Sequence, residues 1–120
     1  ASMVRDYSGY PALLGYHIVD EPNSGAFPAL AEIREILSEL DPAHEAYINL
    51  FPNYGWDDWV EEKYLETLRH YLKNVPVSFL SFDYYPVIMD NGNRMLRDAW
   101  YHNLEDIRTA ANEAQVPIWS

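Results

Sequence analysis

Two adjacent acids, Asp20 and Glu21, follow an apolar run and precede a proline in the segment GYHIVDEPN, residues 15–23. Burial at a strand end and a neighbouring like charge both disfavour the ionised carboxyl, so the pKa of Glu21 is expected to be raised. A carboxyl of that kind can protonate a leaving group, which makes Glu21 the candidate general acid. Pro22 fixes the backbone after Glu21 and would aim its side chain. Alternatively, the two acids cap the following helix, although its apolar stripe begins only near Ala26.

Further polar and aromatic residues lie within or just after the other apolar runs. Acids and amides bind sugar hydroxyls, and aromatic rings pack against the apolar face of a sugar. The predicted substrate-binding residues are Asp20, Asn49, Asp83, Tyr85 and Trp119, with Tyr54, Trp56 and Tyr84 as further candidate sugar platforms. The alternatives are a turn cap for Asp20, a satisfied core amide for Asn49, an ion pair for Asp83 and plain core packing for the aromatics.

The remaining motifs argue against metal and cofactor chemistry. His44, His70 and His102 lack close ligand spacing, so no metal site is predicted. No phosphate loop and no nucleophile elbow occur, and we predict no cofactor. His17 has the same strand parity as Glu21, which would place it in the sheet beneath the acid, or it is a satisfied core histidine.

Composition limits the partners. The 120 residues carry a formal net charge of −11, which would repel nucleic-acid phosphates and anionic lipid headgroups. No run approaches the roughly 18 apolar residues of a membrane span, so we predict no membrane insertion. Cysteine is absent from the sequence, which excludes disulfides and thiolate catalysis. A neutral substrate such as a saccharide fits this surface best.

Strand and helix patterns alternate along the chain. Continuous apolar runs predict strands over residues 13–19, 46–51, 77–82 and 116–119, each covered on both faces. Apolar stripes predict helices over residues 26–40, 57–75 and 93–114, the second with Asp57 as its N-cap.

This order is typical of an α/β protein with a parallel sheet of about four strands. An open doubly wound sheet and half of a (β/α)8 barrel both fit. The first strand ends in Asp-Glu-Pro rather than in a glycine-rich turn, which favours the half barrel. Residues 1–120 would then be one βα segment of a larger barrel domain. Its open strand edges would favour self-association or pairing with the rest of the barrel.

The segments PALLGYHIVDEPN, DPAHEAYINLFPNYG, LSFDYYP and VPIWS resemble, in this order, the fourth to seventh strands of (β/α)8 glycoside hydrolases related to clan A. The resemblance implies that Glu21 is the acid/base of a glycosidase. It also implies that the nucleophile is a Glu at the end of the seventh strand, beyond this chain, and it alone suggests a secreted or periplasmic location. Asp20 departs from the family pattern, which usually has Asn at this position.

Two other functions are compatible with the same residues. The adjacent Asp20 and Glu21 resemble the acid pair of substrate-assisted hydrolases of N-acetylated sugars, which need no enzymic nucleophile. A carbohydrate-binding or inactive half-barrel module would keep the aromatic rim without needing Glu21.

Overall fold

The computed structural model describes residues 2–55 and 63–119. Within them, the helices are α1 (Ser2–Tyr7), α2 (Phe27–Leu40), α3 (Tyr64–Asn74) and α4 (Trp100–Ala114), and a 3-10 turn spans Ser24–Ala26. The strands are β1 (Gly15–Asp20), β2 (Glu45–Leu50), β3 (Leu80–Phe82), β4 (Val87–Asp90), β5 (Asn93–Leu96) and β6 (Ile118–Trp119). The predicted N-cap Asp57, the start of its helix and Trp56 lie outside the described residues.

The main sheet has four parallel strands in the order β1-β2-β3-β6, which confirms the predicted α/β class. Each later strand adds on the same side of the one before it. A doubly wound sheet reverses this order at its switch point, whereas a barrel does not. The arrangement is therefore consistent with half of a (β/α)8 barrel.

The core lies between one face of this sheet and the helices. In β2 the side chains of Ala46, Ile48 and Leu50 are buried and alternate with half-buried ones. Helices α2, α3 and α4 pack against this face and contribute Phe27, Leu68 and Ile107, all fully buried. Burial of these apolar side chains supplies the main favourable term for folding.

The opposite face of the sheet corrects one expectation. The sequence predicted strands covered on both faces, but the described helices pack against only one. The other face carries a chain of rings, with Tyr47 5.0 Å from His17 and 5.7 Å from Trp119, and Phe79 5.2 Å from Trp119. These rings line an open, mainly apolar pocket of about 460 Å³. The strands are thus apolar on both faces because one face packs against the helices and the other carries the rings of the pocket.

A β-hairpin replaces the predicted first part of the last helix. Residues 93–99 were predicted as helical, but β4 and β5 pair antiparallel and α4 begins only at Trp100. Asn91 and Gly92 both have positive φ, 47° and 81°, as two-residue hairpin turns of type I′ require. The Asn-Gly dipeptide was a readable hairpin signal that the helical spacing of the flanking residues obscured.

A glycine is needed at position 15, because the backbones of β1 and β2 approach closely there. Gly15 pairs with Glu45 at the start of the β1–β2 ladder. A Cβ added at Gly15 would overlap the backbone carbonyl of Glu45, whereas a Cβ at Gly9 would meet no atom within 4 Å among the described residues.

We expect Gly15→Ala to lower the free energy of unfolding by about 1–3 kcal/mol, because backbone atoms cannot give way as a flexible side chain would. Urea denaturation of both variants measures the effect, with Gly9→Ala as the control. Equal stability of Gly15→Ala and Gly9→Ala would show that the two strands can separate at this point without cost.

Candidate active site

The candidate residues meet at the carboxyl ends of three neighbouring strands. Asp20 ends β1 and pairs with Asn49 of β2, which in turn pairs with Ser81 of β3. The ladder continues past the strands, because the Glu21 N–H donates to the Asn49 carbonyl at 2.8 Å. Likewise, the Asp83 N–H donates to the Leu50 carbonyl at 2.9 Å. The three acids therefore lie along one edge of the sheet.

Asn49 links the side chains of this edge. Its amide nitrogen donates to the Asp20 carboxylate at 2.9 Å. Its amide oxygen accepts from the Tyr47 hydroxyl at 3.4 Å and from the Ser81 hydroxyl at 3.2 Å. The amide is thus hydrogen-bonded across three strands, and its orientation is fixed by its partners. Tyr47 and Ser81 were missed in the sequence, although Ser81 is a polar residue inside an apolar strand.

The backbone at Glu21 is in the left-handed region, with φ of 48°. A residue with a Cβ pays about 1–2 kcal/mol for this conformation relative to glycine. Such local strain is characteristic of functional positions. The helix-capping alternative fails here, because Asn23 and Ala26 occupy the N-cap positions of the 3-10 turn and of α2, and neither Asp20 nor Glu21 does.

The surroundings of Glu21 favour its protonated form. Partial burial raises the pKa of the Glu21 carboxyl most, and the charges of Asp20 and Asp83 raise it further. These are the two causes expected for a carboxyl that shares a site with other acids. A carboxyl in this setting can keep a proton at a pH where an exposed glutamate has lost it, as a general acid requires.

A β-bulge corrects the expected place of His17. The register of β1 against β2 shifts between His17 and Val19. The extra residue reverses the alternation of side chains, so Asp20, not Glu21, shares the sheet face of His17. His17 pairs with Tyr47 and lines the pocket beneath Asp20, while Glu21 lies past the strand end in its own backbone conformation.

Tyr85 joins the acid edge through Asp83. The Tyr85 hydroxyl donates to the Asp83 carboxylate at 3.0 Å, and this bond raises the pKa of the Tyr85 phenol most. The charges of Asp83, Glu21 and Asp20 raise it further. Tyr85 as a residue is 64% exposed, which leaves its side chain accessible to a ligand.

Trp119 and the other aromatic candidates lie in two separate groups. Trp119 pairs with Ser81 and belongs to the ring-lined pocket rather than to the acid edge. Tyr84 packs 4.9 Å from Tyr54 and 4.7 Å from Trp100, which places it in a cluster beside the hairpin. The structure thus brings together Asp20, Glu21, Asn49, Asp83 and Tyr85, and leaves Trp119 one step along the sheet face.

The described residues, 2–55 and 63–119, hold no group of three His, Cys, Asp or Glu side chains that could bind a metal ion. No helix among them is both long enough and apolar enough to cross a bilayer. Comparisons with protein-family models, with curated proteins and with solved structures gave no match for this chain. The functional assignment therefore rests on the chemistry of the site.

Proposed function

We propose that this chain carries the acid/base half of a glycoside hydrolase site, with Glu21 as the general acid. The observation that supports this most is the setting of Glu21, a strained and partly buried residue whose pKa is raised by burial and by two neighbouring acids. Carboxyl ends of parallel strands are where barrel enzymes hold their active sites. The resemblance of the four strand segments to glycosidases points to the same reaction.

In this mechanism Glu21 donates its proton to the glycosidic oxygen as the bond to the anomeric carbon breaks. The leaving group departs as a neutral alcohol, and ionised Glu21 then deprotonates the water that attacks the sugar. Asp20 and Asn49 bind sugar hydroxyls, the first as an acceptor and the second through the remaining N–H of its amide. Tyr85 presents an exposed ring for the apolar face of the sugar.

The reaction needs a second group to stabilise or attack the anomeric carbon, and there are two candidates for it. By the resemblance, it is a nucleophilic Glu at the end of the seventh strand, outside residues 1–120. Retaining enzymes need it about 5 Å from the acid. In a substrate-assisted reaction, an N-acetyl group would replace it and Asp20, adjacent to Glu21, would orient that group. Substrates with and without a 2-acetamido group separate these mechanisms.

The test uses the longest native protein that contains this chain, assayed on aryl glycosides and oligosaccharides. We expect turnover of at least one of them, and we expect Glu21→Gln to bind that saccharide in a calorimetric or NMR titration while turning it over far more slowly than wild type. A saccharide that binds wild type and Glu21→Gln equally, with no turnover by either, would indicate the binding-module alternative. Neither turnover nor binding of any saccharide would contradict both.

A further inference from the structure

We propose that Arg97 is a positioning residue for this site, holding Tyr85 so that the Tyr85 hydroxyl fixes the Asp83 carboxylate. This inference rests on the proposed function. It assigns a role to the hairpin between β3 and α4, which the chemistry above leaves unused. It also adds a charged residue that no motif in the sequence had indicated.

A chain of contacts connects Arg97 to the acid edge. The Arg97 guanidinium donates through Nε to the Tyr85 carbonyl at 3.0 Å. Its Cζ atom lies 4.1 Å from the centroid of the Tyr54 ring. The Tyr54 hydroxyl accepts from the Tyr85 N–H at 3.0 Å. Both backbone groups of Tyr85 are thus held by one cation and the ring on which that cation stacks.

Tyr85 needs such support because its own burial provides little. With 64% of the residue exposed, few packing contacts restrict its ring, and a ring in water samples several rotamers. The hydroxyl can orient Asp83 only if the backbone that carries it is fixed. Arg97 and Tyr54 hold the backbone of Tyr85, and the hydroxyl at the far end of the Tyr85 side chain donates to the Asp83 carboxylate at 3.0 Å.

The hairpin explains how Arg97 reaches Tyr85 across twelve positions of sequence. Strands β4 and β5 run out and back, with Val87 paired to Leu96, and return the chain to its starting point. The Arg97 N–H then donates to the Pro86 carbonyl at 2.8 Å, which closes the base of the hairpin. The hairpin therefore brings the Arg97 guanidinium to the backbone of Tyr85.

The test compares Arg97→Ala and Tyr85→Phe with the control Arg94→Ala in the longest native protein. Arg94 lies on the same hairpin, and its side chain makes none of the hydrogen bonds or ion pairs found in residues 2–55 and 63–119. Because a misplaced site group costs up to about 10²-fold, we expect kcat/KM to fall roughly tenfold to a hundredfold in the first two variants. The control should keep wild-type activity and melting temperature.

A carbon-13 NMR titration of the Glu21 carboxyl gives a readout that a purely structural role would not move. Loss of the Arg97 charge alone would raise the pKa of Glu21, because a nearby cation favours ionised carboxyls. Displacement of the Asp83 charge would lower it. We expect the Glu21 titration to move to lower pH in Arg97→Ala and in Tyr85→Phe, relative to Arg94→Ala.

An unchanged or upward-shifted Glu21 titration in Arg97→Ala would overturn the positioning role, whatever the activity. A downward shift in a protein that turns over no saccharide would uphold the positioning role and reject the proposed function. Turnover by wild type with full activity in Arg97→Ala would uphold the function and reject the positioning role.

Discussion

Replacing Glu21 with glutamine will lower kcat/KM for a saccharide by about 10²–10⁴-fold, the usual contribution of a general acid. Glutamine keeps the size and the hydrogen-bonding reach of the side chain, but its amide has no acidic proton to transfer to the leaving group. The loss should be smallest for substrates with good leaving groups, such as nitrophenyl glycosides, because these need little protonation. Steady-state rates on a matched series of aryl glycosides measure this dependence.

The same variant should keep its fold. The folded protein holds the Glu21 proton more tightly than the unfolded chain does, since the pKa of Glu21 is raised in the fold. Ionisation of Glu21 therefore destabilises the folded state as the pH rises through that pKa. Removing the carboxyl abolishes this effect, so the melting temperature at neutral pH should be unchanged or higher. A lower melting temperature would mean that Glu21 serves stability instead.

Two further variants check the cause of the activity loss. Glu32→Gln changes an exposed glutamate of α2 in the same way and should leave the rate unchanged. Asp20→Asn removes one of the charges that raise the pKa of Glu21. The protonated acid is the active form, so the decline of kcat/KM at high pH should then begin at a lower pH than in wild type. A decline that begins at the same pH as in wild type would show that the ionisation of another group causes it.

Truncation of the core residue Leu50 to alanine will lower the free energy of unfolding by about 2–5 kcal/mol. Leu50 is 0% exposed and lies in β2, with other strands on either side and the helices packed against its face. Its removal leaves a cavity that the surrounding sheet and helices cannot fully close. Since domains are stable by only about 5–15 kcal/mol, urea denaturation should show a large shift.

Leu40→Ala provides the matched comparison. Leu40 is the last residue of α2 and is 49% exposed, so its truncation should change stability by no more than about 0.5 kcal/mol. Leu50→Ala should also reduce activity at temperatures where it remains folded, because the Leu50 carbonyl accepts the Asp83 N–H. Equal stability of the two leucine variants would contradict the core described above.

The alternation of strands and helices was predictable because it depends on local patterning of apolar residues. The four main strands and the helix α2 lie within a few residues of their predicted positions. The hairpin was missed, since residues 93–96 fit a helical stripe as well as a strand, and only the Asn91-Gly92 turn decides between them. Pattern alone cannot weigh a two-residue turn against a stripe of several apolar residues.

The sequence alone indicated that Asp20, Glu21 and Asp83 lie at or just past the ends of apolar strands and that Asn49 lies just inside one. Residues in such places of a parallel sheet meet at one edge. How their side chains face one another depends on the register and the bulge of the folded sheet. Because of the bulge in β1, Asp20 rather than Glu21 lies on the same face of the sheet as His17, since one extra residue reverses the alternation of side chains along a strand. Tyr54 and Arg97 reach Tyr85 through contacts between residues far apart in the chain, which local sequence patterns do not encode.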